Sequence, residues 1–217
     1  IDRDLLEEYH EGLICCSACL GGELPQKIME GMVAVNNSQQ TVDQLIADNH
    51  FEEAEKTIEW YKNLFGEDYY IEIQRHQTEK NGADQHVYQV QKEVNPVLVA
   101  LAKKHGIKVV ATNDVHFVEE EHAEAHDHLV CVSTNHFIDD ENRMHYTKQE
   151  WLKSPQEMAA IFPDFPEALS NTLEIADKVE TYSIDSGPLM PKFEIPESFG
   201  TEEEYRKKFT EEDLFNE

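Results

Sequence analysis

The sequence predicts an α/β protein built on a parallel sheet or barrel, and three observations predict it. Short apolar runs at 13–16, 69–73 and 107–112 have strand length and composition. Stretches of helical period separate them, so the order through the middle of the chain is strand, helix, strand in the βαβ manner. Each apolar run also exits into a polar cluster, and parallel sheets gather loops and helix N-termini at the carboxyl ends of their strands.

Asp2 to His10 reads as a short helix, and Gly12 releases the chain into the strand Leu13-Ile14-Cys15-Cys16. Gly21-Gly22 frees the backbone and Pro25 opens a helix. The segment from Asn36 to Gly66 has apolar residues at helical spacing, so this region predicts two helices forming a connecting hairpin. "YYIEI", Tyr69 to Ile73, alternates as a strand, with Tyr69, Ile71 and Ile73 on one face and Tyr70 and Glu72 on the other. A helix follows from about Gln85 to His105, with basic residues in its last turn, Gly106 as its stop, and Pro96 predicting a kink or a break. "IKVVAT" is the next strand, and Glu119 to Val132 is helical. Ser154 is an N-cap, Pro166 opens a second helix, and no strand lies between these two. From Glu180 the chain is rich in Pro and Gly and then charged, which predicts an extended connector ending in the start of another helix.

The 217 residues are enough for one domain or one and a half. There are 45 acidic and 18 basic residues, a formal charge of −27, which repels a phosphate backbone; any nucleic acid must be held mainly by something else. Three of the four cysteines fall within Cys15 to Cys19, and no secretory signal or membrane-length apolar run precedes them. A reducing cytoplasm is the expected compartment, with free thiols. The chain starts without an initiator methionine on an amphipathic element already under way, and reads as a piece of a longer polypeptide.

Asp114 and His116, in "ATNDVHF", are carboxylate and imidazole donors two residues apart on extended chain, so both side chains leave the strand on one side. That spacing suits a divalent ion, and it suits equally a polar turn in which Asn and Asp bond the local backbone. Cys19 can supply a thiolate, but a structural zinc ribbon needs a second cysteine pair that this chain lacks. Cys15, Cys16 and Cys131 read as buried small hydrophobes. Glu72 and His76 can reach the same mouth as Asp114 if their strands are neighbours; an exposed edge face competes with that reading. His122 and His126 stand at i, i+4 in the charged "EEEHAEAHDH", which reads as a solvated helix face. There is no phosphate loop, GxGxxG element, GxSxG elbow or HExxH motif, which disfavours P-loop kinases, serine hydrolases and zincins.

"EGLICCSACLGGELP", "YYIEIQRHQ", "GIKVVATNDVHF" and "KSPQEMAAIFPDFPEALSNTLEIADKV" together resemble, in order, successive segments of the alpha subunits of bacterial DNA polymerase III. The resemblance implies part of a distorted (β/α)7 PHP barrel lacking its N-terminal strands, followed by a small helical segment and an extended connector. It divides the chain into 1–135, later part of the barrel, 136–180, helices leading to the polymerase core, and 181–217, connector and start of the palm region. It also implies that Cys19, Asp114 and His116 match three ligands of the PHP metal cluster, which would hold Zn or Mn. The family's HxH motif and further His and Glu ligands lie upstream of Ile1, so the cluster here is incomplete. The parent is then a DNA-directed DNA polymerase using Mg, with its palm and DNA-binding parts beyond Glu217, and the 217 residues alone are inactive in synthesis. Two other roles come with the family: a metal-dependent phosphoesterase or 3′–5′ exonuclease, and a docking platform for the proofreading exonuclease subunit within the replicase.

Overall fold

A computed structural model of the chain describes residues 1–34, 40–191 and 200–209. Residues 1–179 form one compact unit and 180–217 a second. Among the described residues of the first unit, three strands make one sheet: β1 (Cys15–Cys16), β2 (Tyr69–Ile73) and β3 (Lys108–Ala111), in the order β1-β2-β3. Both pairings are parallel, with Cys15 opposite Tyr69 and Ile71 opposite Val109. The α/β class and the parallel sheet are therefore as expected. The first strand is shorter than its apolar run, because Leu13 and Ile14 precede the pairing with β2.

Helix α1 (Arg3–Tyr9) starts on an Asp2 side chain that accepts from the Leu5 N–H. After β1 come α2 (Glu23–Ala34), α3 (Val42–Ala47) and α4 (Glu52–Phe65). Among its described residues the connecting region thus holds three helices where two were expected; Thr41 makes a capping box with Gln44 and starts α3 separately. The part of the expected hairpin at 36–39 lies outside the described residues.

Helix α5 (His86–His105) runs through Pro96 without a break, against expectation. The proline is exposed, so the Lys92 carbonyl it leaves unbonded is on the water side. On the other side Val94, Val97, Leu98 and Leu101 hold the helix in the core, and Gly106 ends it in the left-handed region at φ 64°. Tyr69, Ile71 and Ile73 join that core with Leu24 and Ile28 of α2 and Ile58 of α4, all essentially water-free.

Past β3, α6 (Ala123–Thr134) is followed by α7 (Pro155–Ile161) and α8 (Pro166–Lys178), with Ser154 capping α7 and Pro166 opening α8 as predicted. α8 packs on β3: Asn171 donates to the Val109 carbonyl at 2.8 Å and Glu174 pairs with Lys108 at 2.6 Å. Arg75, at the exit of β2, grips the α7–α8 turn through two bonds to Asp164 of 2.6 and 2.7 Å, and lies over the Phe162 and Phe165 rings. In the second unit, 180–191 form no helix or strand, and α9 spans Glu202–Lys208.

Candidate functional site at the strand ends

The carboxyl ends of the three strands lie side by side because the strands are parallel and in register, and a cavity of about 220 Å³ opens there. Cys19, His76, Asp114, His145, Tyr146 and Glu150 are among the residues that line it. The first exit, 17–22, turns sharply, and Gly22 is required there because a Cβ would fall 2.4 Å from the Ser17 carbonyl oxygen. Ala18 adopts a positive φ of 65°, and its N–H donates to the Glu72 carboxylate at 2.7 Å. The same carboxylate accepts from the Thr112 hydroxyl at 2.8 Å, and the Glu72 N–H donates to Ser17 Oγ. Glu72 thus ties the ends of all three strands together. Burial of the thiol, with the charge of Glu72 beside it, pushes Cys15 up to about 11.

His76 is 2 % exposed, which corrects the reading of an exposed edge. Gln91 of α5 accepts from the His76 N–H through its carbonyl, so its amide nitrogen faces His76 Nδ1 at 3.2 Å and donates to it. The proton is then on Nε2, which donates to the Asn113 carbonyl at 3.2 Å. Both ring nitrogens are used, and burial holds the imidazole below its usual pKa, hence neutral. His76 acts as a strut between α5 and the β3 exit, with no lone pair left for an ion.

The third exit is held by a loop 36 and 38 residues further along. Asn113 donates through Nδ2 to the carbonyls of Gln149 and Trp151, each at 2.8 Å. The His116 N–H donates to the Glu150 carbonyl at 2.7 Å. The Glu150 side chain, 2 % exposed, accepts from the N–H groups of Thr147 and Gln149 and from the Thr147 hydroxyl, so it shapes this loop from within. Lys153 donates to the Gln149 carbonyl and lies over the Trp151 ring, where burial lowers it to about 8.

Held between these contacts, Asp114 sits at φ 45° and faces the cavity, and His116 Nε2 lies 3.6 Å from its Oδ1. The His116 ring meets Tyr146 at 4.8 Å and His126 at 5.5 Å. Burial and the carboxylates of Asp114 and Glu150 raise the Tyr146 hydroxyl, keeping it protonated.

The structure brings Asp114 and His116 together and puts Cys19 on the same cavity as Asp114, while Glu72 serves the network beneath. Carboxylate, imidazole and thiolate are donors that a zinc-type ion accepts. Yet among the described residues no three His, Cys, Asp or Glu side chains converge on one ion position. These residues do not by themselves fit a complete metal site.

Two further expectations need correction. Cys16 is exposed and Cys15 half-buried, since β1 has a neighbour on one edge alone among the described strands; only Cys131 is buried as expected. His126 does not sit on a solvated face: α6 turns it inward against His116, Phe117 and Tyr146, whereas His122 is exposed. Asn113, Tyr146 and Glu150 carried no sequence signal as site residues beyond the Asn-Asp pair itself.

Residues 1–76 match the family model of the PHP domain, which takes in Cys19, Glu72 and His76 and stops before Asp114 and His116. The chain is 40 % identical to the DNA polymerase III subunit alpha of Borreliella burgdorferi over 99 % of its length, which is 16 % of that protein. It is 36 % identical to the protein of the same name from Treponema pallidum over all of its length, again 16 % of the relative, and 33 % identical to that of Thermus aquaticus over 97 %. The chain therefore spans about one sixth of the relatives it matches. It is similar, over essentially its whole length, to one segment of the bacterial DNA polymerase III alpha subunits, and its own residues 1–76 match the PHP domain.

Proposed function

We propose that this chain serves as the PHP segment of a replicative, cytoplasmic DNA polymerase III alpha subunit, accessory to DNA-directed DNA synthesis. The observation that carries this reading is the similarity over 99 % of the chain at 40 % identity. The sheet, in this reading, is part of a (β/α)7 barrel over 1–135, residues 136–180 lead toward the polymerase core, and 181–217 connect to the palm region. Polymerisation with Mg belongs to other parts of the parent, as does contact with DNA, which the −27 charge of this segment opposes. The replicase subunits are its partners, including the proofreading exonuclease subunit. The purified 217-residue chain is expected to be silent in primer extension, while the complete polypeptide carrying it is active. Template-dependent incorporation by the chain alone would overturn the assignment.

Cys19, Asp114 and His116 are, in this reading, ligands in an ion site for Zn or Mn completed by groups outside this chain. The placement of Cys19 and Asp114 on one cavity, with His116 Nε2 3.6 Å from Asp114, supports it, and also supports a phosphoesterase or 3′–5′ exonuclease role for the completed site as a second reading. The complete polypeptide is expected to lose bound metal when Asp114→Ala and His116→Ala are combined. Equal metal-to-protein ratios in wild type and double variant, measured by plasma emission spectrometry, would remove the ion site and leave the polymerase assignment standing.

A further inference from the structure

Helix α6 has two apolar faces. Ala123, Val130 and Cys131 are buried, as the inner stripe of an amphipathic surface helix requires. On the opposite side Ala125, Leu129 and Val132 recur at i, i+4 and i+7 and face water, Leu129 at 66 % and Val132 at 79 % exposure. Asn135 then ends the helix in the left-handed region, and the chain turns to present Phe137, 80 % exposed, and Ile138, 39 %. Single exposed apolar residues are ordinary, but a stripe at helical spacing continued by a phenylalanine is a contact surface.

The charges in the same stretch decide what fits it. Two of its acids already have cations: Glu120 pairs with Lys80 at 2.7 Å, and Asp127 with Arg143 at 2.6 Å. Glu121, Glu124, Asp139 and Glu141 are exposed, and among the described residues no cation lies within ion-pair distance of them. The stripe therefore carries four unneutralised carboxylates on a chain of net charge −27. That distribution repels a second copy of this chain and an anionic lipid surface, and it attracts a cation.

We propose that the outer face of α6, with Phe137, docks a basic amphipathic helix of a partner polypeptide: the partner's apolar residues lie along Leu129, Val132 and Phe137, and its Lys or Arg residues meet the free carboxylates. This is the helix-on-helix mode in which anchors at i, i+3, i+4 and i+7 carry the contact. The surface is separate from the strand-end cavity and does not depend on an ion there.

The probe is a labelled peptide of lysine and leucine, about five helical turns long, with its leucines on one face; a scrambled peptide of the same composition is the charge control. Fluorescence anisotropy with the 217-residue chain is expected to show the patterned peptide binding at least ~10-fold more tightly than the scrambled one. The triple variant Leu129→Ser, Val132→Ser, Phe137→Ser keeps the net charge and alters only exposed side chains, and it is expected to lose that preference. Equal binding of both peptides, or equal binding by the variant, would reduce the contact to polyanion attraction and overturn the proposal. A concentration-dependent dimer in sedimentation that the triple variant abolishes would assign the face to a second copy instead. Co-sedimentation with phosphatidylcholine vesicles, lost in the variant, would assign it to a membrane.

Discussion

The strand ends and the outer face of α6 treat polar and apolar groups in opposite ways. At the strand ends His76, Gln91, Asn113 and Glu150 are all buried, and each is hydrogen-bonded on every side the structure shows. On α6 Leu129 and Val132 stand in water. Burying polar groups costs stability unless they are paired, and exposing apolar ones forgoes the main driving force of folding. The first region meets that cost internally at these four residues, while His145 Nδ1 on the cavity and Trp151 Nε1 in the 146–151 loop are buried without a hydrogen-bond partner among the described residues. The second region leaves its cost unmet, which marks it as a surface that gains from a partner.

The contrast is most exposed to failure at Asn113. Its amide nitrogen serves two carbonyls on a loop 36 and 38 residues away, so Asn113→Ala removes that donor from both in a part-buried place, the Gln149 carbonyl keeping Lys153. The expected loss is about 3 kcal/mol, roughly 6–12 °C in melting temperature. Thermal and urea unfolding of the variant measure it; a loss under about 1 kcal/mol would mean that water or a shifted loop replaces the amide.

That dependence on a distant loop explains what the sequence reveals and what it hides. Strand β2 has the bounds its alternation predicts, and Gly106, Ser154 and Pro166 end or open helices where their backbone chemistry says they should. Those are local effects of side-chain period, φ and missing N–H groups. The loop at 146–151 attaches to the β3 exit chiefly through its own carbonyls, which every residue has, so "YTKQEW" carries no mark of its role. His126 is hidden for a related reason: its neighbours in sequence are charged, and only the packing angle of α6 turns it toward His116. Asp114 and His116 are readable as a pair by spacing, but which other side chains reach them is set by tertiary packing, which spacing does not reveal.

His76 tests the same region through pH. Its imidazole is held neutral by burial, so its folded pKa is below the ordinary value of about 6.5. Below that value the unfolded chain takes up a proton that the folded chain refuses, and stability falls as pH falls, until the folded pKa is passed. One such group contributes a slope of up to ~1.4 kcal/mol per pH unit. Urea unfolding between pH 8 and 5 is expected to show a shallower fall in His76→Gln than in wild type. Parallel curves would place the pH dependence in the other histidines and sink the strut.

Glu72 is expected to matter less, since its carboxylate is only part-buried. Glu72→Ala removes acceptors from Ala18 and Thr112 and is expected to cost about 1–2 kcal/mol. A double-mutant cycle with Thr112→Val isolates the shared bond, with a coupling of about 1 kcal/mol expected and a value near zero arguing against it.

The smallest effect is the one that separates the two regions most sharply. Leu129 and Val130 are adjacent, but Val130 is 9 % exposed and Leu129 66 %. Truncating either to alanine keeps or improves helix propensity, so any loss must come from packing. Val130→Ala is expected to cost about 1 kcal/mol, because its methyl groups leave a filled interior. Leu129→Ala is expected to stay within ~0.5 kcal/mol of wild type, since its side chain has little to lose in the isolated chain. Measured again with the patterned peptide bound, Leu129→Ala should lower the peptide-induced rise in melting temperature while Val130→Ala leaves that rise intact. If instead Leu129→Ala destabilises the free chain as much as Val130→Ala does, α6 already buries both of its faces, and the outer stripe has no room for a partner.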